Sequence, residues 1–143
     1  MPLYAVSTRT SISNESRGKL TNLIMSVHCG ITGAPETFVN IMFMENVPLS
    51  EGVSLHIVGN VRKGRTSTMN EILQKDLKHC ISELMIVPEF AIDLSLCETP
   101  AQWIMEGGEI LPEPGEEALC EWLQKGHQEG QQEFQIVDDG KAA

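Results

Sequence analysis

The sequence predicts a small α+β domain in which two β-α-β units supply a four-stranded sheet with two helices on one face. Three observations carry this: 143 residues with 41% hydrophobic side chains, enough for one core and not two; two long amphipathic helical stretches; and a short β-type run on either side of each.

Leu3 to Ser7 is short and apolar, with Tyr4 and Val6, and suits a strand that begins almost at the start of the chain. Ser13 and Asn14 can cap a helix, and Glu15 suits its first turn. Leu20, Leu23, Ile24 and Val27 then recur at helical spacing, giving an amphipathic helix that ends near Gly30. Phe38 to Phe43 is a second β-type run. The pattern then repeats. Val53 to Val61 alternates in part, with Val53, Leu55, Ile57 and Gly59 on one face. Thr68 and Glu71 form a capping-box pair, and Met69, Ile72, Leu73, Leu77, Cys80, Ile81 and Leu84 line one side of a second helix that Pro88 closes. Phe90 to Leu96 is the fourth strand. Successive β-α-β units imply right-handed crossovers. The sheet face away from the helices keeps apolar positions, which argues for a homo-oligomer.

After Pro100 the character changes. Gly107-Gly108 and Leu111 to Gly115 read as turns, and Glu116 to Gln124 as a last helix with Leu119 and Leu123 on one side. The domain is expected to span residues 1–125. Residues 126–143 form a polar tail in which Phe134 to Val137 is a candidate strand.

Ten Lys and Arg against 20 Asp and Glu give a net charge of −10, which disfavours nucleic acid and anionic membrane surfaces as partners. No apolar run approaches the ~20 residues that span a bilayer, and no signal sequence opens the chain, so a cytoplasmic protein is expected. Cys29, Cys80, Cys97 and Cys120 contain no C-x-x-C pair and read as reduced, mostly buried packing residues. His28-Cys29 and His79-Cys80 lack metal-ligand spacing, and no metal or cofactor is expected.

Chemistry is concentrated at few positions. Removal of Met1 would leave Pro2 with a secondary amine, whose pKa falls in an apolar pocket or beside cations until it can act as a general base or acid. Arg62, Lys63 and Arg65 are a basic cluster in an acidic chain, set between a strand end and a helix start that already favours anions; a small carboxylate would bind there. His28 closes the first helix, where a protonated ring would cap the dipole. Glu106 lies in apolar company, and burial would raise its pKa into a useful range. Each has a bland alternative: an ordinary second residue, a solvated basic loop, a helix cap, and one carboxyl among many.

Together these residues resemble one family. Met1 to Tyr4, Val27 to Gly33, Arg62 to Ser67, Pro100 to Gly107 with Glu106 inside it, and Leu111 to Gly115 are similar, in that order and over roughly residues 2–115, to the cis-3-chloroacrylic acid dehalogenase group of the tautomerase superfamily. The resemblance implies the tautomerase fold, assembled as a homotrimer. It further implies Pro2 as the catalytic amine, Arg62 and Arg65 holding the substrate carboxylate, His28 adding a hydrogen bond to it, and Glu106 orienting or activating water. One position departs: the family's aromatic hydroxyl falls at Ser95, too short to replace it. Proton transfer on a small enolic or unsaturated 2-oxo or acrylic carboxylate needs only Pro2 and the arginines. The alternatives are a hydratase, dehalogenase or decarboxylase using a Glu106-activated water, and a trimeric binding protein without catalysis.

Overall fold

A computed structural model describes residues 2–123; the polar segment from Gly126, with its candidate strand at Phe134 to Val137, lies outside the described residues. Among the described residues, strands and two long helices run in the order β1 (Leu3–Thr8), α1 (Asn14–Thr32), β2 (Asn40–Met44), β3 (Leu55–Arg62), α2 (Ser67–Met85), β4 (Ile92–Thr99), β5 (Met105–Glu106) and β6 (Glu109–Ile110). The main sheet has the order β2-β1-β3-β4. Each β-α-β unit makes a parallel pair, β1 with β2 and β3 with β4, and the two units join through antiparallel β1 and β3. α1 and α2 pack on each other over one face of the sheet, as expected from the sequence.

The element ends shift for identifiable reasons. Ser13 caps α1, its hydroxyl accepting from Ser16 N at 3.1 Å, an interaction worth about 1 kcal/mol. The helix runs past Gly30 to a left-handed Gly33, whose N–H reaches Cys29 O. The cap of α2 is Thr66, not Thr68: its Oγ1 accepts from Met69 N at 3.2 Å and starts the helix earlier. β2 and β4 begin later than their apolar runs because each is entered through a 3₁₀ turn behind a proline, Glu36–Phe38 after Pro35 and Glu89–Ala91 after Pro88. The first of these turns removes Phe38 from the strand.

The main core fills the space between helices and sheet. Tyr4, Val6, Leu55, Ile57, Val61, Ile92 and Leu94 from the strands meet Leu20, Ile24, Leu73, Leu77 and Ile81 from the helices. Each such aliphatic side chain contributes roughly 1.5–3 kcal/mol. Gly59 faces Tyr4 across the ladder, and a Cβ there would lie 2.5 Å from Tyr4 Cε1 and 2.8 Å from Leu96 Cδ2. The bare backbone of β3 is therefore what lets the phenol ring lie flat against the sheet.

The opposite sheet face is open within the chain. Register sets Met44, Ser7, His56 and Asp93 in one row and Met42, Ala5, Val58 and Ser95 in the next; Met42 and Met44 are 46% and 41% exposed. The four cysteines are unpaired, and none is fully buried: Cys97 is exposed and the other three half-buried, so the expectation of mostly buried packing thiols holds only in part.

A second small core joins Phe38, Ala101 and Leu111 to the partly buried Ile104, Trp122 and Leu123. The helix expected over Glu116 to Gln124 is instead a 3₁₀ turn, Glu117–Leu119, followed by an extended Cys120, with residues 121–123 helical again. Leu119 is 79% exposed. The reason lies in Glu117, whose carboxylate accepts from Gly115 N at 2.9 Å and pairs with Arg62. Side-chain bonds hold this segment in place of a helical face.

Candidate functional site

The site forms at the end of the sheet where β1 begins, β3 ends and α1 delivers its last turns. Pro2 is buried, and its carbonyl accepts from Asn40 N at 2.9 Å, extending the β1–β2 pairing by one residue. The apolar alternation that makes Leu3–Thr8 a strand also puts Tyr4 on the helix side, facing α1.

There it meets His28. Tyr4 Oη lies 2.7 Å from His28 Nδ1, and the rings stand edge to face with centroids 5.7 Å apart. Both residues are completely buried. Burial, then the positive charges of Arg65, Arg62 and the chain's amino end, push the His28 pKa down to about 3. Burial likewise pushes the Tyr4 phenol upward. His28 is therefore a neutral ring at physiological pH, and a charged helix cap is not its role.

The two arginines differ sharply. Arg62, 0% exposed, donates Nη1 to Pro112 O at 2.7 Å, pairs through Nη2 with Glu117, and lies with Cζ 5.4 Å from the Phe38 ring centroid. Both Nη nitrogens of this cation are occupied, while its Nε is buried with no hydrogen-bond partner among the described residues. Arg65 donates only Nη1, to Arg62 O at 3.3 Å; its Nε and Nη2 are buried with no hydrogen-bond partner among the described residues. Burial and the neighbouring Arg62 charge lower its pKa, yet guanidinium remains the charged form.

Glu106 is carried on the β5–β6 hairpin, half-buried and opposite Glu109. The hairpin is tied to this end of the molecule through the Phe38, Ala101 and Leu111 cluster. Ser95 sits exposed on β4, on the face that alternation directs away from Tyr4 and His28. It does not join the site of its own chain. The structure thus gathers the Pro2 end of β1, His28, Arg62 and Arg65 at one place and carries Glu106 on an adjoining hairpin. Sequence reasoning missed three contributors. Tyr4 passed as a strand former, Phe38 as a strand residue, and Glu117 as part of the helix expected over Glu116 to Gln124; none carries a local signal for its partner.

No family model and no curated protein matches the chain. Solved structures do. N1, a member of the cis-3-chloroacrylic acid dehalogenase family, is 26% identical with a TM-score of 0.79, covering 89% of this chain and 99% of its own. The chain's structural neighbours are thus cis-3-chloroacrylic acid dehalogenase family members and 4-OT proteins of the tautomerase superfamily. A fused 4-OT described as an asymmetric trimer has a TM-score of 0.68 at 19% identity, covering 76% of this chain and 94% of its own. Leishmania major MIF2 has a TM-score of 0.67 at 16% identity, over 78% and 97%. These last two share the tautomerase fold, with its four-stranded mixed sheet and two main helices. Among the described residues, no helix is long and apolar enough to cross a membrane.

Proposed function

We propose that this protein is a tautomerase-superfamily enzyme in which Pro2, freed by removal of Met1, serves as general acid and base on a small enolic or unsaturated 2-oxo or acrylic carboxylate. The observation that carries this reading is Arg65. Its Nε and Nη2 are two buried donor nitrogens without acceptors, held so only at a cost of roughly 1–3 kcal/mol each, and an arriving carboxylate relieves that cost through two parallel hydrogen bonds. His28, neutral and buried close by, adds a further polar contact. The positive charges at this end of the sheet disfavour an ammonium on Pro2, so its amine is available as a base.

In this mechanism the neutral amine takes a proton from the enol hydroxyl or from the carbon next to the carbonyl. Negative charge then develops on the substrate oxygens, where the Arg65 donors stabilise it, a contribution of roughly 3–4 kcal/mol per well-placed donor. The protonated amine returns the proton at the other position. Water addition, dehalogenation or decarboxylation through Glu106 has less support, because Ser95 occupies the open sheet face and offers no second hydroxyl to hold a water within the chain.

The working unit is proposed to be residues 1–125, assembled as a cytoplasmic homotrimer. Exposed Met42 and Met44 on the open face, and the trimeric state of the fused 4-OT of like fold, support the assembly. The test is turnover of the enol of phenylpyruvate by the wild type and by Pro2→Ala. A fall of at least about 100-fold is expected from loss of the acid/base group; equal rates would reject the reading.

A further inference from the structure

Tyr4 Oη and His28 Nδ1 share a single hydrogen bond of 2.7 Å in a fully buried setting, and His28 Nε2 is buried with no hydrogen-bond partner among the described residues. Two proton arrangements are compatible with that contact. If the phenol donates, Nδ1 accepts and the ring proton sits on Nε2, so one group, Nε2–H, is left without a partner. If Nδ1–H donates to the phenol oxygen, two are left: the phenol's own proton and the Nε2 lone pair. Buried polar groups are costly when unpaired, so the count favours the first arrangement. The charged alternatives fail on their surroundings. The charges of Arg65 and Arg62 disfavour an imidazolium, and burial disfavours both imidazolium and phenolate.

We infer that Tyr4 is a positioning residue: its hydroxyl, admitted by the missing side chain at Gly59, fixes His28 as the Nε2–H tautomer and makes it a permanent neutral donor beside Arg65. The inference rests on the reading that Arg65 seats an anion, and it narrows the ligand. Arg65 Nε and Nη2, Arg62 Nε and His28 Nε2 are donor nitrogens buried with no hydrogen-bond partner among the described residues. The complementary group is a carboxylate with one further acceptor oxygen, as in a 2-oxo acid or its enolate. A 2-amino acid, which brings an ammonium where His28 already donates, is rejected.

Long-range proton–nitrogen NMR of histidine rings in the full-length, nitrogen-labelled protein tests this. The His28 signals are assigned by difference from His28→Gln, and the spectra are recorded from about pH 5 to 8, the range in which an ordinary histidine titrates. The expected wild-type pattern has the proton on Nε2 alone and is unchanged with pH. Tyr4→Phe is expected to give mixed tautomers or a titrating ring, with KM for a 2-oxo acid raised about 10-fold, the loss of one hydrogen bond worth about 1.4 kcal/mol, and kcat changed less. A proton on Nδ1, an imidazolium in the wild type, or an unaltered ring and KM in Tyr4→Phe would overturn the inference. Should Tyr4→Phe fail to fold, the wild-type spectrum decides alone. The spectrum needs no substrate, so an inactive Pro2 would remove the proposed enzyme activity without touching this result.

Discussion

The guanidinium of Arg62 is ion-paired with the carboxylate of Glu117, joining the last residue of β3 to a turn 55 residues further along. Arg62 is wholly buried, while the Glu117 side chain keeps 18% exposure. The pair divides the labour between two arginines that look equivalent in sequence. Arg62 fastens the C-terminal segment across the end of the sheet through both its Nη nitrogens, whereas Arg65 keeps Nε and Nη2 unsatisfied among the described residues.

Glu117→Ala should cost about 3 kcal/mol, because it strands a buried cation. Urea unfolding measures the loss. Replacing both partners, Arg62→Met with Glu117→Leu, should restore much of it, since no charge is then buried alone. A double variant as unstable as Glu117→Ala would mean that the fastening role is misread.

Acid should loosen the same joint. Burial raises the Glu117 pKa, but the hydrogen bond and charge of Arg62 more than offset it, and the folded value lies below the ordinary 4.5. A carboxyl depressed in this way adds stability above its unfolded pKa and loses it as pH falls through the folded value. The stability gap between wild type and Glu117→Gln should therefore be widest above about pH 5 and close on acidification below about 4. A gap independent of pH contradicts the pairing.

Arg65→Met should separate stability from activity. Removing a half-buried cation whose Nε and Nη2 are unpaired among the described residues leaves unfolding stability unchanged or raises it by about 1 kcal/mol. Meanwhile kcat/KM on a small enolic carboxylate should fall at least about 100-fold. A variant that is both unstable and fully active would show that Arg65 is a structural residue.

The left-handed cap of α2 offers a control remote from the site. Ile86 has φ 55° and ψ 49° and is 90% exposed, a conformation that costs a β-branched residue about 1–2 kcal/mol. Ile86→Gly should raise the midpoint of urea unfolding by an amount worth about 1 kcal/mol and leave turnover unchanged.

Self-association has a direct test at Met42. Glutamate in place of Met42 puts charge on the edge strand of the open sheet face, which costs little in a lone subunit and much at a buried contact. Sedimentation should show Met42→Glu dissociated where the wild type is assembled. Identical sedimentation would place the contact elsewhere.

Much of this architecture is legible in the sequence because it rests on periodicity. Leu20 and Ile24, or Leu73, Leu77 and Ile81, recur at helical spacing, and β3 alternates; these patterns fix faces whatever the rest of the chain does. The features that escaped were decided by contacts distant in sequence. Phe38 belongs to a β-like run yet turns away to support Arg62, and Glu117 sits in a helix-compatible stretch yet is drawn out by a cation 55 residues earlier. The Tyr4 hydroxyl finds its partner 24 residues on. Composition cannot announce such pairings, because the same residues are satisfied equally well by water when they stay on the surface.

The missing side chain at Gly59, whose place the Tyr4 ring fills, has a consequence for anyone who mutates this chain. A scan of every position would find this one strand residue, which has no functional group of its own, nearly as intolerant as the polar residues of the site. Even a methyl group there would push the phenol off its histidine, and the damage would be seen first as a weakened grip on the ligand.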